Sequence, residues 1–226
     1  MIPLILHQIW IGDQLKMPVD WMNTWVEKNP KIDVWVWTEK EIDLMGLKNR
    51  KLYDEYYSRG EFHGASDVAR IEILEKYGGI YMDADSICKE PIENEEFMQS
   101  DFFVAYEHQN HPGRIANGVI GSVAGHQILK EYIKRIGDAK KIRPIWNTIG
   151  GTMLTKIIED YGKEKITILP ACSFYPVNHN GQVAPIVGKV YAEQLWGTTK
   201  GIYKDKKTNH CNGQNCVTCK NDCCWK

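Results

Sequence analysis

Apolar and polar positions along this chain change period several times, and each change marks an element. Residues 4–11 are a nearly continuous apolar run with β-branched members and a glycine stop, the pattern of a buried strand. Residues 18–27 switch to helical spacing, with Pro18 near the start, Trp21, Met22 and Trp25 on one side, and Asn29-Pro30 closing the helix. Residues 34–37 read as a second strand, which completes a first βαβ unit of a nucleotide-binding half. From 39 to 60 the pattern weakens into short amphipathic helices, with Leu52, Tyr53, Tyr56 and Tyr57 expected beneath a larger helix. That helix is predicted over 65–77. Val68, Ala69, Ile73, Leu74 and Tyr77 recur at its period, Glu72 and Lys76 can pair across one turn, and Gly78-Gly79 stops it. A short strand comes next, at 80–82. Further strands are predicted at 101–106, 115–121 and 166–169, and helices at 127–136 and 153–161. The alternation is that of an α/β domain with a mixed, mostly parallel sheet flanked by helices.

The stretch from 63 to 86 carries the chemistry. Asp67 and Arg70 share a helix face, and such a pair is usually only a surface ion pair. Two further acids change that reading: Asp83 and Asp85 stand two apart at the end of the short strand and project to the same side. Two carboxylates held together raise each other's pKa unless a cation sits between them. Hard oxygen ligands suit Mg²⁺ or Mn²⁺, which keep water and take phosphate oxygens as further ligands.

Composition narrows the function class. The apolar share of 43% and charged share of 25% are ordinary for a globular domain of 226 residues. A formal charge of −1, with no basic stripe, argues against a nucleic-acid partner. No apolar run approaches the ~18 residues of a membrane span, and the first residues lack the basic lead of a signal peptide. The expected location is cytoplasmic, as in a bacterial or viral protein, with peripheral membrane association as an alternative.

At Ser66-Asp67-Val68-Ala69-Arg70, and then at Leu74, Tyr77-Gly78-Gly79, Tyr81, Asp83 and Asp85, the chain resembles the sugar-nucleotide-binding region of the DXD glycosyltransferases of family 32. That family includes initiating mannosyltransferases and capsular polysaccharide transferases, and the clostridial glucosylating toxins carry a similar block. Residues 5–12, together with Trp21, Trp25, Asn29-Pro30 and Trp37, are similar to the family's amino-terminal part. The resemblance implies a GT-A fold over 1–203. It also implies a retaining transfer from a UDP- or GDP-sugar to a glycan or other hydroxyl acceptor, with Mn²⁺ or Mg²⁺ as cofactor. By the same resemblance Trp10 stacks near the base, Asp83 lies near the ribose and donor sugar, and Asp85 ligates the metal. Asp67 holds sugar hydroxyls, Arg70 meets sugar or diphosphate oxygens, and Asn117 lies near donor and acceptor.

Many relatives have a histidine in the closing block, where this chain reads Tyr191-Ala192-Glu193-Gln194-Leu195-Trp196. Glu193 is therefore expected as a metal ligand, with Gln194 as the alternative, and Trp196 beside the diphosphate with its indole N–H free to donate. His108 and His111 have metal-like spacing but read as solvated loop residues. The tail, 204–226, departs in composition: Cys211, Cys216, Cys219, Cys223 and Cys224 are five of the seven cysteines. They read as a structural zinc knuckle or as disulfides. Two other functions share some of these features: a Mg²⁺-dependent phosphohydrolase, which would want more acidic ligands, and an inactive scaffold recruited through the tail.

Overall fold

The computed structural model describes residues 1–108, 113–139 and 143–204. His111 and the cysteine-rich tail, with its expected zinc or disulfides, lie outside the described residues.

The chain runs β1 (Ile5–Ile9), α1 (Val19–Lys28), β2 (Asp33–Trp37), α2 (Glu39–Met45), α3 (Arg50–Ser58), α4 (Phe62–Tyr77) and β3 (Gly79–Met82). It continues with β4 (Ser86–Cys88), β5 (Phe102–Tyr106), β6 (Ile115–Ser122), α5 (Gln127–Gly137), α6 (Ile145–Thr148), α7 (Gly151–Tyr161), β7 (Thr167–Leu169) and β8 (Ala192–Gln194). The main sheet has the order β2-β1-β3-β6-β5-β7. β1 is parallel to both β2 and β3, β7 is parallel to β5, and β6 runs antiparallel to both its neighbours. β4 and β8 form a separate antiparallel pair.

Apolar residues cover both faces of the sheet. On one face Tyr53 and Tyr56 of α3, Leu74 of α4 and Leu129 of α5 pack against Tyr81 and Ile120. On the other, Met22 and Trp25 of α1 meet Ile80, Met82 and Phe103. Burial on this scale, at ~25 cal/mol per Å² of apolar surface, is the main force holding the layers together.

α4 starts three residues earlier than its apolar spacing indicates, and it is buried on more than one side because it lies between the sheet, α3 and α5. Glu72 does not pair with Lys76. Its carboxylate accepts the backbone N–H groups of Lys48 at 2.5 Å and Asn49 at 2.8 Å, and so ties the lead into α3 to α4. A buried carboxylate needs such donors.

The Gly78-Gly79 stop is steric as well as conformational. Both glycines have positive φ, and a Cβ on Gly79 would stand 2.5 Å from the carbonyl oxygen of Ile5. Only glycine allows β3 to close on β1 here. Among the described residues, no helix is long and apolar enough to cross a membrane.

Candidate active site

β2 and β3 lie on opposite sides of β1, so the strand order reverses at β1. A crevice outside the carboxyl ends of the strands is expected at such a point. A cleft of about 920 Å³ lies there. It brings together Trp10, which comes directly after β1, Asp67 and Arg70 on α4, Asp83 and Asp85 after β3, and Asn117 on β6. Gln194 and Trp196 line it as well.

Helical spacing sets Asp67 and Arg70 side by side, their Oδ1 and Nη2 2.9 Å apart and both side chains almost fully buried. Arg70 Nη1 reaches Oδ1 of Asp83 at 3.2 Å and donates to the carbonyl of Asn117 at 2.7 Å, while Nε donates to the carbonyl of Ser66. The guanidinium, which also lies 4.3 Å over the Tyr81 ring, is thus engaged at all three nitrogens. It clamps two carboxylates together at the wall of the cleft. Asn117 donates its amide to Oδ1 of Asp67 at 2.9 Å. Burial pushes the Asp67 carboxyl up to about 6, with Arg70 opposing and Asp83 adding to the rise.

Asp83 accepts the Tyr81 hydroxyl at 2.8 Å, and a Cβ on Gly118 would come within 2.5 Å of its other oxygen. Tyr81, part of the motif that carries the resemblance but with no role assigned to it there, is thus a site residue, and alternation along β3 sets it on the same side as Asp83. The next turn is pinned by Ser86, whose hydroxyl donates to the Asp83 carbonyl at 2.7 Å.

Asp85 receives the Gln194 amide at 2.5 Å and the Gly197 N–H at 2.6 Å, and its carbonyl accepts from Leu195 N–H. Trp196 between them has a φ of 59°, an uncommon conformation that turns the chain back onto Asp85. Burial raises the Asp85 pKa to about 6, and Asp83 adds to the shift against the two hydrogen bonds.

Glu193 stands elsewhere than the resemblance to the family led us to expect. Side chains alternate along β8, so while Gln194 faces Asp85, Glu193 pairs with Lys89 at 2.9 Å. The indole N–H of Trp196 is likewise taken, by the carbonyl of Val177 at 2.9 Å. His108, expected as a solvated residue, is buried, with its Nε2 2.8 Å from the Asn178 amide.

A divalent cation fits this donor set. Two hard carboxylates share the cleft, and one of them, Asp85, is held in a raised-pKa environment that a positive charge would relieve. Among the described residues there is no group of three or more His, Cys, Asp or Glu side chains arranged for a metal, so water and phosphate oxygens would complete the coordination. Trp10 meets Tyr203 edge-on, with ring centroids 5.0 Å apart, at one end of the cleft. No sequence pattern marks Tyr203.

Residues 18–103 match the family described as glycosyltransferase sugar-binding region containing DXD motif. Over 196 residues the chain is 30% identical to an uncharacterised glycosyltransferase of Acanthamoeba polyphaga mimivirus, covering 79% of this chain and 74% of that protein. Over 139 residues it is 27% identical to inositol phosphoceramide mannosyltransferase 3 of Schizosaccharomyces pombe, covering 60% of this chain and 37% of that longer protein. The PaToxG glycosyltransferase structure superposes with a TM-score of 0.59 at 15% identity, over 71% of this chain and 69% of that one. That likeness is one of fold, the GT-A type. With the sequence relationship to the viral protein it leads to one conclusion: the chain belongs to the glycosyltransferases with a DXD-containing sugar-binding region.

Proposed function

We propose that the chain is a metal-dependent, retaining hexosyltransferase that moves a sugar from a UDP- or GDP-sugar to a hydroxyl of a glycan or other acceptor. The observation that carries this reading is the meeting of the Asp83–Asp85 turn with the Asp67–Arg70 pair in one cleft at the strand ends. Asp85 would hold Mn²⁺ or Mg²⁺, steadied by Gln194 and the Gly197 N–H. When bound, the ion would supply Lewis-acid stabilisation of the charge on the departing diphosphate.

The chain's own groups bind and orient. The base would lie against Trp10, which lines the cleft at the end of β1. Arg70 fixes Asp67 and Asp83 in one relative position, so that each has an oxygen to offer a ribose or sugar hydroxyl. Positioning of this kind lowers the entropic part of the barrier. Asn117 sets the rotamer of Asp67. The expected product role is glycan or polysaccharide assembly.

The test is a panel of UDP- and GDP-sugars with Mn²⁺, reading nucleotide release. Turnover of one sugar nucleotide supports the proposal. Phosphate release from simple esters would favour a phosphohydrolase, and absence of any nucleotide binding would favour a scaffold.

A further inference from the structure

The cleft has a second wall that the donor groups leave unused. Residues at the amino end of α4 and around α6 form it, and among them Glu61, Arg143 and Trp146 line the cleft. Trp146 is 55% exposed, unusual for so large a ring bordering a cavity. It is not loose: the Arg114 guanidinium lies 4.9 Å from the ring centroid, and Arg114 is itself held by Glu107 at 2.6 Å. A ring supported on one face offers the other. Beside it Glu61 Oε1 pairs with Arg143 Nη2 at 2.5 Å, while Glu61 Oε2 has no hydrogen-bond partner among the described residues. An orphaned carboxylate oxygen is costly until a donor arrives, and Glu61 is among the residues that line the cleft.

An aromatic face beside a carboxylate and a guanidinium suits a polyhydroxylated ring. The C–H face of a pyranose is apolar and lies on the electron-rich face of an indole, while its neighbouring hydroxyls both donate and accept. Peptide hydroxyls offer no such face. We infer that this wall is an acceptor subsite for a sugar ring, stacked on Trp146 and hydrogen-bonded by Glu61 and Arg143, so that the acceptor is a glycan. This rests on the proposed transferase reading and specifies its acceptor.

The test is saturation-transfer NMR of the full chain with methyl glycosides of glucose, galactose, mannose and N-acetylglucosamine, with and without Mg²⁺ and UDP or GDP. Trp146→Ala and Trp146→Phe are compared with the parent. At least one glycoside should bind the parent, with affinity about tenfold weaker in the alanine variant and largely restored by phenylalanine. UDP or GDP affinity is the control that separates a lost subsite from a lost fold. If no methyl glycoside binds, or if one binds Trp146→Ala as tightly as the parent, the inference is overturned. Failure of the parent to release nucleotide from any sugar nucleotide would count instead against the transferase reading, because glycoside binding is read without turnover.

Discussion

The side-chain amide of Gln194 donates to Oδ1 of Asp85 over 2.5 Å, tying β8 to the turn after β3. Its neighbour Glu193 faces Lys89 on the other side of the strand. Gln194→Ala should therefore weaken Mn²⁺-dependent binding of a nucleoside diphosphate by about tenfold, the usual size of such an outer-sphere effect. Glu193→Gln should bind like the parent. Calorimetry with UDP and GDP decides; the reverse pattern would return the ligand role to Glu193.

Gly118 makes room for Asp83. A methyl there would stand 2.5 Å from Asp83 Oδ2 and 2.8 Å from the Tyr175 hydroxyl, both ends of side chains that can give way. Gly118→Ala should fold with a loss of about 1–3 kcal/mol, but with Asp83 displaced and donor hydrolysis down by more than about tenfold. Thermal unfolding and nucleotide release measure the two effects separately. Full activity in a folded variant would show that the place of Asp83 does not matter.

Cation binding should be pH-dependent with a definite sign. A cation held by Asp85 would need its carboxylate form, and burial, with the charge of Asp83 adding to it, holds the Asp85 pKa at about 6. Above that the affinity for Mn²⁺ should be flat; below it the proton competes, and affinity should fall about tenfold per pH unit. Titrations from pH 5 to 8 test this, and affinity unchanged down to pH 5 would mean Asp85 is not a ligand.

His7 supplies an internal probe of the core. The Trp37 indole N–H donates to Nδ1 at 3.1 Å, so the proton sits on Nε2, which donates to the Gly78 carbonyl at 2.8 Å. Burial lowers its pKa to about 4, against that carbonyl bond. Between about 4 and 6.5 the unfolded chain then binds more protons than the folded one. This group alone therefore removes stability as pH falls through that window, on the order of 3 kcal/mol in full. Asp67 and Asp85, whose folded pKa values are raised, act in the opposite sense: their contribution is lost as pH rises through about 6. The nitrogen resonances of His7 should report a neutral Nε2–H tautomer at pH 5.5. A charged ring there would contradict the hydrogen-bond assignment.

The parts legible in the sequence are those set by local period. The spacing of Val68, Ile73 and Leu74 marks α4, the glycine pair marks its end, and the apolar runs mark β1 and β3. The acidic turn and the helix pair can be placed because they flank one short strand. The pairing of Ser86 with Gln194 is a contact across 108 positions, and no local pattern sets its register. Without that register the faces of Glu193 and Gln194 are indistinguishable, since a shift of one residue exchanges them. The same holds for the fixed indole of Trp196, whose partner Val177 lies in an irregular connection, and for Glu72, whose acceptance of Lys48 and Asn49 N–H groups depends on how α3 approaches α4.

If Asp85 holds a divalent cation under a nucleoside diphosphate, calorimetry of Asp85→Asn is the sharpest way to see it. The asparagine keeps the size of the side chain and an oxygen for the Gly197 N–H, so the fold should persist by circular dichroism. Mn²⁺-dependent affinity for UDP or GDP should fall by at least about a hundredfold, leaving only the metal-independent part. Unchanged Mn²⁺-dependent affinity in a folded Asp85→Asn protein would contradict a metal-binding role for Asp85.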